Sequence, residues 1–272
     1  MNFVPLVLYA AAFVAYGWHF ARRAPAVGRS ATTLLVAAVL AHTFVIGMET
    51  MEAGQVPVGD ATSAISMFVW LLAVAYLYTE VTTDERAMGV FILPLLVALQ
   101  AIPALIPNTD PHSSVLSGPL FGIHVSSLLL AYASFALACV IGITYVLLFK
   151  EIKAKHLGYF YTRLPSLQVL DVMNGRAITV GWVFLTLGVI VGGVGAVAVQ
   201  GSTDPRAQAM SLADPKILVA LLSWGIYSFA LFARKAIGWS GHRAAYLSGV
   251  AFAVVLLNFV LVGYFLTKSH NF

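Results

Sequence analysis

Eight mainly apolar runs, near residues 3–20, 31–49, 62–79, 88–106, 119–149, 177–199, 216–234 and 244–266, divide this chain. Each approaches the roughly 20 residues a helix needs to cross the hydrocarbon core of a bilayer. Backbone amides in lipid must be paired within the membrane, so only helices and closed barrels cross it. No segment alternates apolar and polar residues in the manner of a barrel strand. The runs therefore predict an all-α integral membrane protein, one polytopic domain over 1–272 with about eight transmembrane helices. Composition agrees: 10% of the residues are charged and 60% are apolar, whereas a soluble domain carries about 25% charged residues. The fifth run is longer than a crossing needs and should tilt or project beyond the bilayer. Pro94 and Pro103 predict a kink in the fourth span rather than a break.

Positive charges set the expected orientation. The loops after the first, third, fifth and seventh runs hold Arg22, Arg23, Arg29, Arg86, Lys150, Lys153, Lys155, Arg163, Arg176, Arg234, Lys235 and Arg243. The remaining loops and the C-terminus hold only Arg206, Lys216 and Lys268. A split of 12 to 3 places the basic loops in the cytoplasm and both termini on the outer side. It also accounts for the basic charge balance without a nucleic-acid partner; the partner implied is membrane lipid. Arg22 and Arg23 follow the first run instead of preceding it, the reverse of a cleavable signal peptide, so Met1 is expected to stay attached. The stretch from Lys150 to Arg176 mixes bases with Tyr159, Phe160, Tyr161, Leu164 and Leu167, as an amphipathic connector in the headgroup region does.

The single cysteine, Cys139, excludes an intrachain disulfide and a CxxC pair, and reads as a small buried hydrophobe. Among seven histidines, His19, His156 and His242 lie at the cytoplasmic boundary. His42 lies inside the second run, where an ionisable residue is costly and more often functional than not; a neutral imidazole bonded to a neighbouring helix is the alternative. His124 opens the fifth run, His112 lies in the loop before it, and His270 follows the eighth. His124 and His270 thus sit at one level near the outer boundary, on different helices, and could supply opposite axial ligands to a haem iron. No HxxxH, HExxH, phosphate loop or nucleophile elbow occurs. Gly188, Gly192, Gly193 and Gly195 form a small-residue stripe suited to close helix packing.

His124-Val125-Ser126-Ser127-Leu128-Leu129-Leu130-Ala131-Tyr132-Ala133 resembles the "HVSxxLLSYA" segment of CcsA-type cytochrome c assembly proteins. Leu164-Pro165-Ser166-Leu167 with Asp171 and Arg176 is similar to that family's cytoplasmic loop, and Leu185-Thr186-Leu187-Gly188 with Gly192 to its "LTxGxxSG" helix. Asp214-Pro215-Lys216 with Trp224 resembles "DPKxxWALxxW", and Ser269-His270-Asn271-Phe272 the closing "LHSY". Gly54, Pro57 and Trp70 match its first outer loop loosely. The matches keep the family's order from Gly54 to Phe272. They depart from it where the Trp-rich loop should lie, since 200–214 holds no tryptophan. Val219 replaces a later tryptophan, and Phe232 stands where a transmembrane histidine is expected. That pattern resembles the shorter HemX-like (YpjD-like) branch.

The resemblance implies non-covalently bound haem b, axial ligation by His124 and His270, and a role in cytochrome c maturation or haem handling at a bacterial cytoplasmic membrane. Lys216 and Arg206, in the adjoining loop, would pair with the haem propionates, and His42 would be a further haem contact. Apocytochrome c or another assembly factor would be the partner. No bond-making group is evident, which points to binding and orientation rather than catalysis. A second reading is a HemX-like regulator that docks a haem-synthesis enzyme on its cytoplasmic loops without a haem site. A third, a transporter or a transmembrane electron carrier, would want histidines at two depths, and only His42 lies well inside a span.

Overall fold

The computed structural model describes residues 2–106, 118–155, 158–199 and 215–257, without the side chains of 198, 199, 215, 216 and 257. The described residues form eight helices: α1 (Phe3–Arg22), α2 (Pro25–Ala53), α3 (Ala61–Thr83), α4 (Gly89–Leu105), α5 (Pro119–Lys153), α6 (Leu167–Val199), α7 (Pro215–Ala236) and α8 (His242–Leu257). No strand occurs among the described residues. Six of the helices are long and apolar enough to cross a membrane; α4 and the described part of α8 are shorter and also apolar. The protein is a multi-pass helical membrane bundle.

Helix boundaries exceed the apolar runs where the chain leaves hydrocarbon. α2 begins at Pro25, with proline in the first turn, where its missing N–H removes no helical bond. α6 begins at Leu167, ten residues before the run expected from 177. Hydropathy marks the stretch that lipid covers, whereas helical hydrogen bonding continues into the polar interface. Residues 159–163 of the connector form a turn: the Tyr161 N–H donates to Glu151 at 2.7 Å, and the Arg163 guanidinium lies 3.9 Å over the Tyr159 ring. α4 runs unbroken through Pro94 and Pro103. At 35 residues, α5 is about 50 Å long at 1.5 Å per residue, far more than the hydrocarbon thickness.

Successive helices pack side by side, and α5 is the hub, touching α3, α4, α6 and α8. Of its most apolar stretch 67% is buried, against 17% for α7, so α5 is central and α7 peripheral among the described helices. On α1 the buried positions are Pro5, Tyr9, Ala12, Tyr16 and Phe20, a stripe at helical spacing. Its opposite face carries Val7, Val14 and Trp18, all more than half exposed. Inside and outside are both apolar, as a hydrocarbon solvent requires.

The α5–α6 seam is the most extensive contact, and its closeness comes from glycine. A Cβ added at Gly181, Gly188 or Gly192 of α6 would stand 2.6 Å from an atom of Phe135, Leu128 or His124 respectively. As positions rise on one helix they fall on the other, so the helices run antiparallel with each large side chain seated on bare backbone. Gly193 and Gly195 meet nothing within 4 Å, so only part of the expected stripe packs against described neighbours. Phe135 also stacks on Tyr227 of α7 with ring centroids 3.5 Å apart.

Candidate functional site

His124 lies in the second turn of α5, half-buried. Its Nδ1 is 2.7 Å from the Gly188 carbonyl oxygen of α6. A carbonyl can only accept, so Nδ1 carries the proton in this bond and the neutral ring has its lone pair on Nε2. The ring rests on Gly192, where a β-carbon would strike it. Tautomer and orientation are thus fixed by backbone, one contact setting the donor and the other the space. The pairing of a ligating imidazole with a carbonyl acceptor through its other nitrogen is the usual support for a metal ligand.

The other residues expected at this end are placed unevenly. His270, Arg206 and His112 lie outside the described residues, and so does the side chain of Lys216, whose backbone opens α7. Trp224 of α7 donates to Thr186 Oγ1 at 2.9 Å and stacks on Trp182 of α6, whose indole donates to Ser228 at 2.7 Å. A tryptophan pair therefore joins α6 to α7, with Trp182 six positions before Gly188.

His42 occupies a different place. It is completely buried on α2, with Nδ1 3.1 Å from the Tyr9 hydroxyl of α1 and Nε2 2.9 Å from the Ser66 hydroxyl of α3. One ring nitrogen donates and the other accepts, and hydroxyls serve both. The result is a three-helix polar clasp in which ligation by His42 would require Tyr9 or Ser66 to let go.

A second clasp escaped the sequence reading. Glu80 of α3 is 1% exposed, and it accepts from Tyr16 of α1 at 2.6 Å and Thr32 of α2 at 2.5 Å. Arg86 reaches Thr32 Oγ1 through Nε at 3.2 Å and pairs with Asp84 at 3.1 Å. The signal was available: Glu80 directly follows the third apolar run, and an acidic group there needs donors from its neighbours. Of the boundary histidines, His19 contacts the Ala24 carbonyl through Nδ1 at 3.0 Å and His242 stacks on Phe149, while His156 lies outside the described residues. Among the described residues no group of three or more His, Cys, Asp or Glu side chains could hold a metal ion.

An apolar-surfaced helical bundle that fixes an imidazole by a backbone carbonyl near one end defines a polytopic membrane protein with one oriented histidine. Residues 2–270 match the model of the cytochrome C assembly protein family, and the chain belongs to that family. Similar relatives are cytochrome c biogenesis proteins CcsA. That of Guillardia theta is 25% identical over 257 residues, covering 87% of this chain and 83% of its own length. That of Trieres chinensis is 25% identical, covering 84% and 81%. That of Synechococcus elongatus is 24% identical, covering 85% and 82%.

Proposed function

We propose that this chain is a haem-binding protein of cytochrome c biogenesis, a single polytopic domain that presents haem b at the outer face through His124 and His270. The observation that carries the reading is the His124 Nδ1 bond to the Gly188 carbonyl at 2.7 Å, the support a metal-ligating imidazole uses. Family membership supports the role in cytochrome c biogenesis. In this reading His124 and His270, the latter on the segment after α8, would be the two residues that hold the haem iron. Lys216 and Arg206 counter the propionate charges. Bound haem would supply the iron and the vinyl groups that acceptor thiols attack. The protein's own residues bind it, orient it and limit its exposure, with no side chain making or breaking a bond. His42, clasped by Tyr9 and Ser66, acts in helix packing rather than ligation. The basic end faces the cytoplasm, in a bacterial cytoplasmic membrane, and the acceptor is apocytochrome c or another assembly factor on the outer side.

An absorption spectrum of the purified protein, oxidised and dithionite-reduced, tests this. Wild type should show a low-spin bis-imidazole haem, His124→Ala should lose most of it, and His270→Ala should retain haem that added imidazole restores to low spin. A normal spectrum in the double variant would overturn the ligand assignment. Absence of haem after expression with excess precursor would favour a regulator that docks a haem-synthesis enzyme at the basic face.

A further inference from the structure

At the basic end of the bundle, α6 and α7 flank a shallow, open groove of about 310 Å3 beside Tyr78 of α3. Three cations line it: Arg176 on α6, and Arg234 and Lys235 on α7. Arg234 pairs with Asp171 at 2.7 Å, and its guanidinium lies on Gly175, where a Cβ would stand 2.8 Å from Nε. The charge is thus pinned in the wall by a bare backbone position. Its Nη1 has no acceptor among the described residues. Arg176 donates from Nη1 to the Thr82 carbonyl at 3.0 Å, a neutral partner. Lys235 is exposed and has no hydrogen bond or ion pair among the described residues. Among the described residues Asp171 is the one carboxylate paired with these three cations, which leaves two positive charges without an ion-pair partner there.

The groove is graded along the helices. Val180 lies one turn further into the bundle than Arg176, and Leu231 one turn further than Lys235, and both line it. Exposed Val183 and Phe232 continue the apolar surface of the same two helices beyond the groove, and Val172, nearer the basic end, also lines it. Cations at the end and an apolar wall behind them match an amphiphile with an anionic head. A small inorganic anion would make no use of the wall.

We propose that this groove is a binding site for an anionic phospholipid, with the headgroup phosphate held by Arg176, Arg234 and Lys235 and an acyl chain lying along Val180 and Leu231. The site is remote from His124 and independent of haem. Basic pockets between transmembrane helices bind anionic headgroups in this way.

Native mass spectrometry of the full chain with defined lipids tests it. Wild type should retain phosphatidylglycerol in preference to phosphatidylcholine. The Arg176→Gln/Lys235→Gln double variant should lower that preference by roughly tenfold or more, since each cation near the surface contributes about a factor of five. Val180→Trp, which fills the groove and keeps every charge, should lower phosphatidylglycerol retention as well. Lys235→Gln alone, an exposed change, carries the test if the double variant does not fold. Equal retention of the two lipids by wild type, or an undiminished preference in the variants, overturns the site. Displacement of the lipid by millimolar inorganic phosphate would make it a small-anion site and overturn the lipid assignment.

Discussion

The Tyr16 hydroxyl on α1 donates to the Glu80 carboxylate on α3 across 2.6 Å, with both residues about 1% exposed. Thr32 of α2 donates to the other carboxylate oxygen, so one side chain joins three helices. An acidic group sunk in apolar surroundings is tolerated only when its oxygens are bonded, and here hydroxyls supply those bonds.

Glu80→Leu should therefore destabilise the bundle by roughly 1–3 kcal/mol, because it strands the buried Tyr16 hydroxyl, whereas Thr32 keeps the Gly28 carbonyl as an acceptor. Glu80→Gln retains an acceptor oxygen and should cost less than half as much. Thermal melts in detergent would check the order, and equal melting of wild type and the leucine variant would show that the clasp contributes nothing.

His42→Ala should lower thermal stability by roughly 1–3 kcal/mol while leaving any haem spectrum as in wild type. Bonds between transmembrane helices are each worth about 0.6 kcal/mol on average, and the emptied space adds a cavity term. A changed spectrum with unchanged melting would make His42 a ligand instead.

Gly192→Val should mimic His124→Ala in haem content, although it leaves the histidine in place. The new side chain would occupy the space where the imidazole rests, so Nε2 would lose its direction while α6 stays helical. Gly193→Val, at a position with nothing within 4 Å, is the matched control and should bind haem normally. Loss in both variants would mean that helix disturbance, not ring displacement, is responsible.

Reporter fusions after Arg23, Arg86, Glu151 and Arg234 should report cytoplasm, and fusions near Asp110 and at Phe272 the outside. The expectation rests on 12 of 15 basic residues lying in alternate loops. A cytoplasmic reading at Phe272 would remove His270 from the level of His124.

The helices were legible because apolar runs near the length of a crossing have few alternatives, and each of the eight runs carries a helix over its described residues, with 258–266 of the last run outside them. Which face of each helix points inward was not. Val14 of α1 is more apolar than Ala12, yet it is 65% exposed and Ala12 is fully buried, since packing and not polarity chooses between them. His124 stood out as an imidazole at the start of a long run, but its tautomer depends on a carbonyl 64 positions away. The groove was illegible for a like reason: Arg176 and Lys235 read as topology signals, and only the fold sets them side by side.

The seating of His124, Leu128 and Phe135 on Gly192, Gly188 and Gly181 works as a detent. The three glycines are seven and four residues apart and the three side chains are spaced likewise, so no shift along the axis, whether of four residues (about 6 Å) or of seven (about 10 Å at 1.5 Å per residue), seats all three again. Intermediate slips would drive large side chains into backbone that has no room for them. The height of the imidazole is therefore indexed, not adjustable, and any change in its distance from a facing group must be made by that group.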